Sequence, residues 1–268
     1  MKKICLLGSG GMVGTTLRRE FAREPSFSLN PLYARTIIDV CGPGDPRDFK
    51  SLSGVGRALF SWSRLLELAL DEAEASPRVI HLSTMDLNFP PDVPQLYLVY
   101  KTLQRDFLRV LIETRGISVQ IIETSCIFGL DISETRFISK AVKAAKTSSP
   151  IKVSCKDGSP SNRPWTSVTH LAQVIINLAS REEKEIEGEE ILTYFSFMAT
   201  AKWVAENVIS LLNSNSQIVL DDFYNRPESA SHIFSVWPTG YPVISPLPED
   251  EATHELHSTI RFLAGDLP

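Results

Sequence analysis

The chain has 268 residues, enough to bury a full core in one domain or in one domain plus a small lobe. A formal charge of −5 and the absence of any basic block exclude a surface built for nucleic acid or for an anionic membrane. No apolar run is long enough to span a bilayer, and the two N-terminal lysines precede too few apolar residues for a secretion signal. The four cysteines, Cys5, Cys41, Cys126 and Cys155, have neither paired nor metal-ligand spacing, which reads as reduced, buried thiols in a cytoplasmic protein.

Along the chain, short apolar runs alternate with helical periodicity, the pattern of an α/β fold around a parallel sheet. Strands are expected at Lys3–Leu7, Thr36–Cys41, Arg78–Leu82, Ser118–Glu123 and Ile151–Cys155. Helices are expected at Met12–Arg23, Arg57–Glu74, Leu96–Arg115, Glu134–Lys146, Val168–Ser180, Thr200–Asn213 and Glu251–Leu263. Residues 147–150 and 156–164 read as loops, and the charge run at 181–190 as a solvated turn.

The first strand runs into "LLGSGGMVG". The glycines read as Gly8-x-Gly10-x-x-Val13 or as Gly8-x-x-Gly11-x-x-Gly14, and only the second spacing completes three glycines. Between a strand and a helix such a loop suits a pyrophosphate. Gly8 permits the turn, Gly11 the approach of the ligand and Gly14 close helix packing, while Met12 and Val13 open the helix whose free N–H groups face the anion. The acid expected about 20 residues on, for the adenosine ribose, is missing. Arg35 stands there instead, either to pair with a 2′-phosphate, which would favour NADP over NAD, or as a surface residue at a strand start.

The stretch "VIHLSTMDLNFPPDVPQLYLVYK" carries the chemistry. A strand ends in Ser83-Thr84, and Tyr97 and Lys101 follow on one face of a helix. An ammonium four residues after a phenol favours the phenolate, and a nearby hydroxyl can bond a substrate carbonyl or alcohol. Tyr100 competes with Tyr97 but has no lysine one turn later.

These residues, in this order, resemble the extended short-chain dehydrogenase/reductases, the nucleotide-sugar epimerases and dehydratases, over nearly the whole length. The resemblance implies a Rossmann-like doubly wound parallel sheet over residues 1–155. It also implies a small C-terminal substrate lobe, mainly 156–268 and interleaved with the sheet. It puts Thr84, Tyr97 and Lys101 in the catalytic triad, and it adds Cys41, Gly42 and Thr124 to the cofactor contacts. "IIETSCIFG" is similar to the family's Arg-Pro-x-Asn-Val-Tyr-Gly segment, with Glu123, Thr124 and Cys126 replacing Arg, Pro and Asn. In "SNRPWTSVTH", Arg163 takes the place that often binds the substrate diphosphate, and His170 replaces the usual Asp. Cys126 and Arg163 are therefore the expected substrate contacts.

The implied activity is a nicotinamide-dependent reductase or epimerase acting on a sugar-like substrate. Met85-Asp86 after Thr84 only weakly matches the acidic pair of a dehydratase. The implied assembly is a homodimer through the helices Arg57–Glu74 and Leu96–Arg115. The alternative is a non-catalytic relative with weak or no cofactor binding and a regulatory or scaffold role. Residues 24–35 favour that alternative, because they are too few for the strands and helix of the adenosine half.

Other residues take plainer readings. His254 and His257 share a helix face without a third metal ligand, and His81 is a packed strand residue. Asp86 and Asp92 solvate a loop, and Trp62, Trp165, Trp203 and Trp237 are core or interface aromatics.

Overall fold

The computed structural model describes residues 1–42, 49–74, 76–88, 95–130, 134, 136–156, 158–160, 162–181, 188–221, 244 and 247–266. Asp92 and Trp237 lie outside the described residues, as does the Asp86 side chain.

The first half of the chain forms β1 (Lys2–Leu7), α1 (Met12–Phe21), β2 (Phe27–Leu29), β3 (Thr36–Asp39), α2 (Leu52–Glu72), β4 (Arg78–Thr84), α3 (Leu96–Arg115) and β5 (Ser118–Thr124). There follow β6 (Ile127–Phe128), α4 (Phe137–Lys146), β7 (Ile151–Lys156), β8 (Ser159–Pro160), β9 (Asn162–Ser167) and α5 (Val168–Ser180). The last elements are β10 (Glu189–Thr193), β11 (Phe197–Thr200), α6 (Ala201–Leu211), β12 (Ile218–Asp221) and α7 (Glu249–Ala264).

Six of these strands form a wholly parallel sheet in the order β10-β5-β4-β3-β1-β2. Period-two alternation divides its side chains between two helical layers. Ile4, Ile38, Ile80 and Ile122 pack under α1 and α5, and Cys5, Ile37, Val79 and Ile121 pack under α2 and α3. A second core joins α4, α6 and α7 to β7 and Trp165. Two three-stranded sheets accompany it, β11-β9-β6 and β12-β7-β8. The expected architecture is thus present: a Rossmann-like sheet with flanking helices and a smaller C-terminal α/β lobe.

Several details differ from the sequence reading. The strand expected at Thr36–Cys41 stops at Asp39, because the Cys41 amide turns back to donate to Asp39 Oδ1 at 3.0 Å. The helix expected from Arg57 begins at Leu52, where the Ser51 hydroxyl accepts from the Gly54 amide. The charge run read as a solvated turn supplies the start of the edge strand β10. Glu189 bonds Arg105 and Arg109 there, and Glu190 accepts from Gln120 at 2.6 Å. The stretch 156–164, read as a loop, contains β8 and enters β9.

The short connection at 24–35 holds one three-residue strand and no helix. Leu29 at the end of β2 and Thr36 at the start of β3 both pair with Ile4, on opposite sides of β1. Residues 30–35 therefore pass from one side of β1 to the other at mid-strand. The cation of Lys3 lies 5.2 Å from the Tyr33 ring, and the Tyr33 amide donates to the Glu72 carbonyl at the end of α2. Beside Cys5–Leu7, the half of β1 that leads into the glycine turn, β2 provides no partner.

Candidate active site

In a parallel sheet all strands end at one edge, and this edge gathers most of the predicted site. Gly8 sits at φ +82°, with the space for a Cβ filled by the Val40 and Cys41 backbone at 2.8–2.9 Å. A Cβ on Gly14 would lie 2.2 Å from the Gly8 carbonyl oxygen, so α1 can approach the turn only as glycine. Gly10 and Gly11 are open: a Cβ there meets nothing within 4 Å or only the Gly8 oxygen at 3.9 Å. Gly11 caps α1 without a side-chain hydrogen bond, and no acid occupies the first turn. Val13 is buried in the core, so only its amide is available to a ligand. This cradle fits a pyrophosphate.

Two strands away, β4 ends at Thr84, a buried residue that pairs in register with Thr124 at the end of β5. The Thr124 hydroxyl lies 2.7 Å from that of Thr166. A short 3₁₀ turn (Met85–Asn88) follows Thr84, and α3 begins at Leu96. Tyr97 is half-buried in the first turn of α3, and Lys101 is buried one turn later. Lys101 Nζ donates to the Leu82 carbonyl at 3.1 Å, and a Cβ on Gly42 would be 3.8 Å from it. Burial lowers the ammonium to about 8, against the opposing pull of Asp39.

Tyr100 has a different environment. It is 2% exposed, its ring packs 5.0 Å from that of Phe49, and its hydroxyl accepts from Gln104 Nε2 at 3.0 Å. Burial pushes its phenol well above the ordinary tyrosine range. It is a core residue.

Sequence reasoning missed a buried polar cluster under α2. Asp39 is fully buried, and its Oδ2 accepts from Trp62 Nε1 at 2.7 Å and from His81 Nδ1 at 2.8 Å. Burial would raise the Asp39 carboxyl, but the bonds from His81, Trp62 and the Cys41 amide outweigh it and hold it below the usual range. Burial likewise keeps His81 neutral. The signal was legible in principle: "TIID" and "RVIH" pair residue for residue, and a charge inside an apolar strand requires a partner.

On the lobe side, Cys126 lies between β5 and β6 at φ +42°, a left-handed conformation in which Asn is far commoner than Cys. Its carbonyl accepts from the Thr166 amide at 3.3 Å. Glu123 is buried and bonded to Arg105 at 3.4 Å. Arg163 on β9 is half-buried and pairs in register with Ala199 of β11. Along β11 runs a groove of about 680 Å³ whose lining includes Phe197, Ala199, Trp203, Leu247 and Thr253. His257 on α7 bonds Asn207 at 2.9 Å, and none of the four cysteines is in a disulfide. Among the described residues no helix is long and apolar enough to cross a membrane.

No protein-family model matches the chain, and no curated protein matches it in sequence. Solved structures match it over nearly their full length. MoeE5 in complex with UDP-glucose and NAD superposes with a TM-score of 0.73 at 16% identity, covering 100% of both chains. RMD from Pseudomonas aeruginosa complexed with NADPH gives 0.71 at 13%, covering 99% of this chain and 98% of the other. A UDP-N-acetylglucosamine 4-epimerase from Methanobrevibacter ruminantium M1, in complex with UDP-N-acetylmuramic acid, gives 0.71 at 16% and 99% of each chain. The chain shares the fold of these structures.

Within that fold one predicted contact is misplaced. Arg35 precedes β3, where its amide bonds the Lys3 carbonyl and its carbonyl accepts from the Arg78 amide. It therefore lies at the sheet edge opposite the glycine turn. Its guanidinium bonds Glu74 at 2.7 Å on the surface. With β3 starting level with Ile4, Arg35 is on the order of four strand residues, about 13 Å, from the turn. This placement does not support the expected 2′-phosphate contact. The sequence counted the right distance from the glycines, but the missing helix moved that count to the wrong end of the sheet.

Proposed function

We propose that this chain is a nicotinamide-dependent oxidoreductase or epimerase acting on a carbonyl or alcohol of a sugar-like substrate. What carries the reading is Lys101, a buried ammonium one helical turn after the half-buried Tyr97, on the helix that follows Thr84. Tyr97 is the general acid/base, Lys101 stabilises its phenolate, and the Thr84 hydroxyl orients the reacting oxygen. Gly8, Gly11, Met12, Val13 and Gly14 hold the cofactor pyrophosphate, and Cys41, Gly42, Thr124, Tyr97 and Lys101 adjoin the nicotinamide half. When bound, that group accepts or donates the hydride. Cys126 and Arg163 face the substrate, Arg163 as the diphosphate contact. Sugar nucleotides bound to MoeE5 and to the Methanobrevibacter epimerase support that substrate class. Reduction or epimerisation is preferred over dehydration, because only Asp86 of the Met85-Asp86 pair is acidic.

The shortened β2 favours a second reading, a non-catalytic protein of this fold with a regulatory or scaffold role. Thermal unfolding with and without NAD(H) and NADP(H) separates the two. Cofactor at 100 times its Kd stabilises by about 2.7 kcal/mol, and no shift with either cofactor supports the second reading. A cofactor that does bind meets no 2′-phosphate contact from Arg35. Arg35→Ala is therefore expected to leave the NADP/NAD affinity ratio unchanged, and a fall in that ratio on titration would restore the contact.

We further propose a homodimer through α2 and α3. Leu66, Leu70, Leu108 and Leu111 are spent on the protomer's own core. Phe60, Leu65 and Leu68 on α2 and Leu103 and Val110 on α3 stay 38–68% exposed. Light scattering should give a dimer for the wild type and a monomer for Leu68→Glu. A wild-type monomer at micromolar concentration defeats the proposal.

A further inference from the structure

Asp39 and Lys101 are two buried opposite charges that make no hydrogen bond to each other. Asp39 is 0% exposed, and its oxygens accept from Trp62 Nε1, from His81 Nδ1 and from the Cys41 amide. With His81 neutral these donors carry no charge, so the cluster holds one net buried negative charge. Lys101 is 4% exposed and is the complementary case. Two backbone segments connect them. Leu82, whose carbonyl binds Lys101 Nζ, directly follows His81, and Gly42, which borders Nζ, lies three residues after Asp39.

A buried ion without a counter-ion is strongly unfavourable, and a neighbouring opposite charge relieves the cost for both even without contact. The groups facing Lys101 are Asp39 at the end of β3, Cys41 two residues on, His81 on β4 and Tyr100 on α3, the Tyr100 ring centroid being 5.9 Å from Nζ, and Tyr97 lies one helical turn before it on α3. Burial keeps the Cys41 thiol and the Tyr100 phenol protonated. Asp39 is the carboxylate among them.

We propose that Asp39 is a positioning residue for Lys101: its carboxylate, fixed by Trp62 and His81, is the counter-charge that keeps the ammonium seated between Leu82 and Gly42. The inference rests on reading Lys101 as the partner of Tyr97, but its test does not use catalysis. In protein labelled with ¹³C-lysine, the Lys101 Cε resonance, assigned by its loss in Lys101→Met, is followed against pH. The wild-type midpoint is expected near 8. Asp39→Asn keeps the shape and a carbonyl acceptor but removes the charge, and it should lower the midpoint by about one pH unit or more, tenfold in proton affinity. Trp62→Phe disturbs the same packing but leaves the carboxylate charged and bonded to His81, so the midpoint should move far less than in Asp39→Asn. A merely structural role would move both variants alike.

An unchanged Lys101 midpoint in folded Asp39→Asn overturns the proposal. Should that variant not fold, reciprocity of the coupling supplies the same test. Lys101→Met must then raise the titration of the Asp39 carboxyl, and an unchanged Asp39 titration overturns the proposal equally. A shifted Lys101 midpoint together with full turnover in Tyr97→Phe would keep the charge coupling and discard the catalytic reading.

Discussion

Tyr97→Phe is expected to lower turnover by about 10²–10⁴-fold, the usual contribution of general acid–base catalysis, while leaving the melting temperature and cofactor binding near wild type. The substitution removes one oxygen from a half-buried ring in the first turn of α3 and keeps the ring itself. Tyr100→Phe is the matched control. Its hydroxyl lies inside the core and satisfies Gln104 Nε2, so its loss should cost about 1 kcal/mol of stability and leave turnover intact. The two variants thus separate by observable as well as by size: Tyr97→Phe acts on rate and Tyr100→Phe on melting temperature. Full turnover in Tyr97→Phe, once a substrate is known, would remove Tyr97 from the mechanism. A collapse of rate in Tyr100→Phe at unchanged stability would transfer the role to Tyr100.

The sequence carried the catalytic edge of the fold further than it carried the cofactor's adenosine side, and the reason is local. Glycine spacing, the Ser83-Thr84 strand end and the Tyr97–Lys101 spacing are short-range patterns, and periodicity alone puts them at strand ends and on one helix face. Arg35 depended on counting residues through a crossover. Removing a helix from that crossover leaves β2 three residues long and places Arg35 at the opposite edge. The edge strand β10 was missed because its first two residues, Glu189 and Glu190, continue a charge run. Their carboxylates are satisfied by Arg105, Arg109 and Gln120, partners remote in sequence. The Asp39 cluster joins β3, α2 and β4, and that adjacency appears only when the strands are paired.

Gly14 and Gly11 are expected to differ in stability when each receives the same methyl group. Gly14→Ala places a Cβ 2.2 Å from the Gly8 oxygen and 2.7 Å from Ser9 Cα, and both are backbone atoms that no rotamer change can clear. Alanine's better helix propensity returns up to about 1 kcal/mol, against an overpacking cost of roughly 1–3 kcal/mol or more. The turn must therefore move away from α1, and a net loss of stability together with loss of cofactor binding is expected. Gly11→Ala has no such conflict: its backbone is at φ −83°, ordinary for alanine, and its Cβ meets only the Gly8 oxygen at 3.9 Å. The melting temperature should stay within a few degrees of wild type, since a change below about 1 kcal/mol is all that the cap and chain-entropy effects supply. The new methyl stands on the open side of the turn, where a pyrophosphate must approach the α1 amides. The stabilisation of the wild type by NAD(H) or NADP(H) should therefore be lost in a protein that is otherwise folded. If Gly11→Ala binds either cofactor as tightly as the wild type does, the turn is a structural bend and the pyrophosphate lies elsewhere.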